Sequence, residues 1–353
     1  MSQKCVRDCN RLEQIMQATR ILLRRPAAIF LNAARLNYDS ALNFDKLGAI
    51  TYLTLNDVDC MHDVDEIVHQ VKEAQAEIVI TKEMELPPSA LEQFPSTVKL
   101  LCEAGTGYNN IPVRLARERG ISVVNIPTYS TESVAHMVIT YVMNFSAAIF
   151  PHARMLYEGN QINFKVFQHP IYEIHSKTIG LIGGSGTIGK AVTEVALALG
   201  MDVLISSRSG KLPPGHRYEN QHRVSVVSLE ELLKTSDFVS INCPLNEETR
   251  HSIGRKEIEM MKPTAFLINT ARGAIIHEKE LIECMKENRI AGAGLDTQEV
   301  EPPAPDSELW DLPNVFMTPH IGWRRLETRQ RLVDMTTDNI QSYIDRKLMH
   351  LVN

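Results

Sequence analysis

The chain has 353 residues, with 37 Lys and Arg against 43 Asp and Glu, for a net charge of -6. It carries no basic block, which argues against a nucleic-acid partner. No apolar run approaches the roughly 20 residues that a membrane helix needs, which argues against a membrane partner. At this length two domains with sizeable cores are expected. The six cysteines, Cys5, Cys9, Cys60, Cys102, Cys243 and Cys284, are scattered without a C-x-x-C pair. Neither a metal site nor a disulfide framework is indicated, and a reducing, cytoplasmic setting fits best.

Residues 1–26 stand apart from the rest of the chain. Leu12, Ile15, Met16, Thr19, Leu22 and Leu23 share one helical face, and Lys4, Arg7, Arg11, Arg20, Arg24 and Arg25 make the segment basic. It is either an extra helix packed on the body or on a partner subunit, or an organelle-targeting peptide, though Asp8 and Glu13 are unusual in the latter. After Pro26 the pattern alternates. Strands are expected at 28–31, 50–54, 77–81, 98–102 and 121–125, then a long apolar helix over 130–150. Strands recur at 178–182, 202–206, 224–227, 237–241, 265–269, 290–294 and 315–318, and a last helix covers about 326–346. Such alternation predicts an α/β protein of two Rossmann-like, doubly wound parallel-sheet domains. The expected division is an N-terminal extension (1–26), a substrate domain (27–128 plus 325–353) and a dinucleotide-binding domain (129–324).

Gly184-Ser185-Gly186-Thr187-Ile188-Gly189 lies between the strand at 178–182 and a helix over 188–199 that Gly200 caps. This is the context that the dinucleotide fingerprint G-x-G-x-x-G requires. Gly184 permits a tight turn, Gly186 lets the backbone approach a pyrophosphate, and Gly189 lets the helix pack close to the strand. The helix N-terminus offers free N–H groups and a positive dipole end. Gly183, just before, leaves room for a one-residue slip in register. The strand 202–206 ends not in the acid that bonds the ribose of NAD but in Ser207, followed by Arg208 and Ser209. Arg208 can pair with a 2′-phosphate and the two hydroxyls can donate to it. NADP(H) is therefore expected in preference to NAD(H), with a lax site that accepts both as the alternative.

Arg272 follows the strand at 265–269, where an open α/β sheet binds its ligands. Its guanidinium suits a bidentate grip on a carboxylate or polarisation of the neighbouring carbonyl. Asp296, at the end of the next strand, is placed to accept from a nicotinamide carboxamide. His320, after the last strand, can give a proton to a carbonyl oxygen as hydride reaches carbon, and Glu301 is the carboxylate placed to orient it. Any one of these residues alone is more often structural. Together, after a dinucleotide loop, they describe keto-acid reduction.

The chain resembles the D-isomer-specific 2-hydroxyacid dehydrogenase family from about Ala28 almost to its C-terminus. Asn242-Cys243-Pro244-Leu245-Asn246-Glu247-Glu248-Thr249-Arg250 is similar to the family's HCPLTEETR segment, and Met261-Lys262-Pro263 through Arg272-Gly273 to its MKPGA…NTARG segment. Gly294-Leu295-Asp296 to Glu301-Pro302 and Thr318-Pro319-His320 complete the set. The resemblance implies two Rossmann-like domains flanking a cleft, usually in a homodimer. It also implies roles. Arg272, Glu301 and His320 would be catalytic, and Ala104 and Gly105 would donate backbone amides to the substrate carboxylate. Thr106, Thr187, Ile188, Cys243, Pro244, Ala271 and Asp296 would line the cofactor.

Within the family the segments from Glu103 to Ile111 and from Asn125 to Ala135, and His320-Ile321-Gly322-Trp323, resemble glycerate dehydrogenases, also called hydroxypyruvate or glyoxylate reductases. With no regulatory domain read after the last helix, a long phosphoglycerate dehydrogenase is not expected. Asn242 departs from the family's usual His. Arg324 and Arg325 stand where small residues are usual, and either meet an anion or begin a solvated helix. Trp323 and Tyr108 are either pocket walls or core. The expected function is reduction of a small 2-keto acid, hydroxypyruvate or glyoxylate, by NADPH. The alternatives are a dehydrogenase of another D-2-hydroxy acid and an NAD(H)-sensing, corepressor-like binding protein.

Overall fold

The computed structural model describes residues 25–164 and 169–353. Nearly all of the basic N-terminal extension lies outside the described residues. Two compact units divide the described residues: those up to Tyr129 with Arg324–Asn353, and those within Ser130–Trp323.

In the first unit, β1 (Ala27–Phe30), β2 (Tyr52–Leu55), β3 (Ile78–Thr81), β4 (Leu100–Glu103) and β5 (Ser122–Val124) form one parallel sheet. Its order is β2-β1-β3-β4-β5. The inner strands β3 and β4 are buried along their whole length, as a parallel sheet covered on both faces requires. Ile29, Val79 and Leu101 share one core with Ile67, Val71 and Leu91 from the flanking helices. The expected strand at 50–54 begins later, because Leu47 and Ile50 belong to a helix, Asp45–Ile50. The chain winds outward to β2 and then reverses to β3. The switch point therefore falls between β1 and β3, and ligands favour the crevice beyond the carboxyl ends of strands at such a point.

The last helix, Leu326–Ile344, packs on helix Asp45–Ile50 and on β4. It is fastened by Arg329, which is 1% exposed and stacks over the Tyr38 ring at 4.4 Å. Arg329 Nη1 and Nη2 fork onto Asp39 Oδ1 and Oδ2 at 2.9 and 2.6 Å. The hydrogen bond from Arg329 holds the Asp39 carboxyl down at about 2. The unfolded value is about 3.9. This stabilisation is therefore complete above about pH 4 and is lost as pH falls towards 2. Thermal melts at falling pH are expected to show that loss in the wild type and a flatter dependence in Asp39→Asn. Equal slopes would contradict it.

In the second unit, β6 (Thr178–Ile182), β7 (Asp202–Ser206), β8 (Val224–Val226), β9 (Phe238–Ile241), β10 (Phe266–Asn269), β11 (Gly292–Leu295) and β12 (Val315–Met317) pair in parallel. The order β12-β11-β10-β9-β6-β7-β8 is the dinucleotide-binding winding with one further strand, and its switch point lies between β6 and β9. Two cores cover the two faces of this sheet. The expected helix over 130–150 is in fact two, Thr131–Ala147 and Ile149–Tyr157, bent by 65°. The break is Ala148, in the left-handed region at φ 46°. Pro151 then sits in the first turn of the second helix, where its missing N–H costs nothing. Among the described residues no single helix is long and apolar enough to cross a membrane.

Candidate active site

Geometry settles the register of the glycine loop. Gly183 turns left-handed at φ 81° and donates its N–H to Ser206 O at 2.7 Å, while a Cβ there would meet the Cys243 backbone at 2.8 Å. Gly184–Gly189 then opens helix Thr187–Ala198 with Gly186 as its N-cap. A Cβ on Gly189 would lie 2.4 Å from Gly184 O, so this glycine is required by the approach of helix to turn. Gly186 is different. A Cβ there would meet only Gly183 O, at an ordinary 3.5 Å. The protein itself leaves that side open, in front of N–H groups that no side chain caps.

Beyond β7, Ser207 Oγ and Ser209 Oγ lie 3.3 Å apart and both reach Lys211 O. Arg208, 88% exposed, lies 3.8 Å from Glu248. A pair this exposed is worth little and exchanges readily for a stronger anion. Cys243 is partly buried, and burial pushes its thiol up, away from reactivity. Pro244 is exposed and Ala271 half-buried.

Asn242, Thr270, Asp296 and Thr318 each stand one step beyond a single line of register, Ile241–Asn269–Leu295–Met317. They form a row along the carboxyl edge. Both polar atoms of the Asn242 side chain and Thr270 Oγ1 are buried without a partner among the described residues. Desolvated polar groups at a ligand edge are what a bound polar cofactor would satisfy. With the open side of Gly186 they make this edge fit a dinucleotide.

Asp296, expected to face the nicotinamide, is held by partners within the protein. It is 1% exposed, and its Oδ1 accepts from Thr318 Oγ1 at 2.5 Å and Ile321 N at 2.9 Å, its Oδ2 from Gly322 N at 2.8 Å. Burial pushes its carboxyl upward against those hydrogen bonds. Asp296 thus clamps the turn that carries His320. Tyr141 OH joins Thr318 Oγ1 at 2.7 Å, and Ser133 Oγ donates to Gly322 O, fixing the turn from below.

His320 itself is left-handed at φ 52°, a conformation His tolerates better than most residues. Its Nδ1 lies 2.8 Å from Glu301 Oε2, and Glu301 Oε1 accepts from Gln298 N at 3.1 Å. A carboxylate oxygen accepts in such a contact, so Nδ1 is placed as the donor and Nε2 is left for the reacting side. The loop beneath is held close. A Cβ on Gly273 would fall 1.9 Å from the Gln298 carbonyl carbon, and the residue's neighbour Arg272 is fixed by Asn269 Nδ2 donating to Arg272 O at 2.9 Å. Arg272 Nη1 donates to Ala271 O at 2.8 Å.

The first unit holds Ala104, Gly105 and Thr106. The Ala104 amide, expected to donate to substrate, donates to Thr81 O at 2.7 Å. The Gly105 amide, in a buried residue, has no partner among the described residues. Thr106 Oγ1 donates to Ile126 O at 2.9 Å. Trp323 is 3% exposed and belongs to the interior, whereas Tyr108 is 39% exposed. Sequence reasoning missed the charges behind this loop. Lys82, 1% exposed, donates from Nζ to Glu83 Oε1 at 2.7 Å, next to Glu103, which is fully buried.

A dinucleotide cradle and an imidazole–carboxylate pair on one sheet edge define a nicotinamide-dependent oxidoreductase. A family profile described as D-isomer specific 2-hydroxyacid dehydrogenase, NAD binding domain, matches residues 139–322. The chain is 31% identical over 315 residues to the hydroxypyruvate reductase of Blautia hydrogenotrophica, covering 88% of this chain and 95% of that one. It is 36% identical over 283 residues to the glyoxylate reductase of Korarchaeum cryptofilum, covering 78% and 82%. Among solved structures it is similar to an acyclic imino acid reductase, Bsp5, in complex with NADPH and D-Arg. That similarity has a TM-score of 0.77 at 28% identity and covers 92% of this chain and 100% of that one. The chain belongs to the D-isomer-specific 2-hydroxyacid dehydrogenase family and is an NAD(P)-dependent enzyme of that family.

Proposed function

We propose that this protein is an NADPH-preferring reductase of small 2-keto acids, hydroxypyruvate and glyoxylate, giving D-2-hydroxy acids or glycolate. The observation that carries the reading is the His320–Glu301 pair, 2.8 Å apart on the edge where the dinucleotide loop opens. The names of the Blautia and Korarchaeum relatives support the substrate class. Arg272 binds the substrate carboxylate and polarises the carbonyl beside it. His320 delivers a proton from Nε2 to the carbonyl oxygen while Glu301 keeps the ring oriented through Nδ1. Gly184, Gly186, Thr187, Ile188 and Gly189 hold the pyrophosphate. Cys243, Pro244, Ala271 and Thr106 line the rest of the cofactor, and Asp296 acts there through the turn it clamps. When bound, the nicotinamide supplies the hydride. A homodimer belongs to the proposal, supported by exposed Ile149, Phe150, Tyr157 and Phe164 in the second unit.

Initial rates with hydroxypyruvate and glyoxylate, each with NADPH and NADH, test the reading by loss of the reduced cofactor's absorbance. Turnover favouring NADPH by roughly tenfold is expected from one charge-assisted contact of Arg208 with the 2′-phosphate. Arg208→Asp should reverse that preference. An unchanged cofactor ratio would show that Ser207, Arg208 and Ser209 do not select the cofactor. Absence of turnover with every pair would favour the binding-protein alternative.

A further inference from the structure

Lys82 directly follows β3, and Asn32 lies just beyond β1, so both stand at the switch point of the first sheet. Asn32 grips the Lys82 backbone from both sides. Its Oδ1 accepts from Lys82 N at 2.9 Å and its Nδ2 donates to Lys82 O at 2.8 Å. The ammonium meets Glu83 Oε1 at 2.7 Å and Tyr129 OH at 3.4 Å. Glu83 also takes Arg35 Nη2 at 3.3 Å. Glu103 accepts from Thr81 Oγ1, Glu83 N and Asn110 Nδ2 at 2.7, 2.9 and 2.9 Å. A Cβ built on Gly105 would lie 2.9 Å from Glu103 Oε1 and 3.5 Å from Lys82 Nζ. Both charged groups therefore lie on the side of Gly105 that a side chain would fill, next to the residue whose buried amide lacks an acceptor.

We propose that Lys82 is a specificity-determining residue for anionic substrates: its ammonium offsets the Glu103 and Glu83 carboxylates beside Gly105, so that the Gly105 amide can donate to a substrate carboxylate. Without the lysine, Glu103 would lose its nearest cation and Glu83 would keep Arg35, so an N–H beside them would attract an anion less, since such interactions strengthen out of water. A buried lysine with anionic neighbours stays charged, and Glu83 and Glu103 raise its proton affinity against the cost of burial. Lys82 acts through the amide, as a positioning charge. The inference rests on the keto-acid reading above.

The test uses the full-length enzyme with NADPH. Oxalate binding is read from the fluorescence of bound NADPH, beside KM and kcat for hydroxypyruvate. Lys82→Met is expected to raise KM and the oxalate Kd by about 10-fold or more, with a smaller effect on kcat and none on the Kd of NADPH. Glu83→Gln, which frees the ammonium from its nearest counter-charge, is expected to lower both by about two- to threefold. A merely structural lysine predicts the same sign for both variants. Should Lys82→Met fail to fold, Glu83→Gln decides alone. The inference is overturned by a folded Lys82→Met with unchanged oxalate affinity, or by Glu83→Gln that weakens or leaves unchanged oxalate binding. A wild type that binds oxalate but reduces neither keto acid would defeat the functional reading while leaving the Lys82 test intact.

Discussion

His320→Ala is expected to lower kcat by about 10²- to 10⁴-fold, the size of a lost general acid. The loss should fall on kcat and kcat/KM together, because the proton moves only in the transition state. Cofactor binding should persist, since the His320 side chain is not part of the glycine loop. The fold should persist too. The turn is held by the Asp296 carboxylate through Thr318, Ile321 and Gly322, none of which needs the imidazole. An Ala in the left-handed region costs about 1–2 kcal/mol, a small part of the stability of a large domain. Glu301→Gln retains an oxygen acceptor for Nδ1 but no charge, and a loss of about 10-fold is expected. Steady-state rates with saturating NADPH measure both. Near-normal kcat in His320→Ala would remove His320 from the chemistry.

Arg272→Ala should cost about 10³-fold in kcat/KM, the scale of truncating one partner of a desolvated, hydrogen-bonded charge pair. Arg272→Lys should recover little, because a single ammonium cannot reproduce a planar fork. The backbone is fixed independently of the side chain, by Asn269 donating to Arg272 O and accepting from Ala271 N at 3.0 Å. The variants therefore test the guanidinium rather than the loop. KM should rise with both hydroxypyruvate and glyoxylate, which share the carboxylate, while the Kd of NADPH stays within about twofold. A variant that loses kcat/KM only for hydroxypyruvate would mean that Arg272 reads the hydroxyl instead.

The strands were legible because a parallel sheet covered on both faces writes itself as short runs of Val, Ile and Leu. The runs at Ile78–Thr81 and Phe238–Ile241 are clear cases. The glycine loop was legible for a similar reason, since each glycine answers a local steric demand. The break at Ala148 was not, because alanine carries no signal for a left-handed turn. Only Pro151, three residues on, hints at it. The chemistry-bearing residues of the second unit could be found because each sits at a strand end. Their partners could not. Asp296 turned out to clamp the His320 turn because Thr318, Ile321 and Gly322 return to it across β11 and β12, a relation set by sheet register. Lys82 and Glu103 were hidden for the same reason. They are 21 residues apart, and only the pairing of β3 with β4 buries them together.

The most direct measurement follows a label. The enzyme is given hydroxypyruvate and NADPH carrying deuterium at both C4 positions of the nicotinamide, and the product is analysed for configuration and for deuterium at C2. Hydride transfer with His320 as the proton donor predicts D-glycerate carrying deuterium at C2 in the wild type, and product formation slowed by about 10²-fold or more in His320→Ala. L-glycerate, product without deuterium, or no product with either this acid or glyoxylate would contradict it.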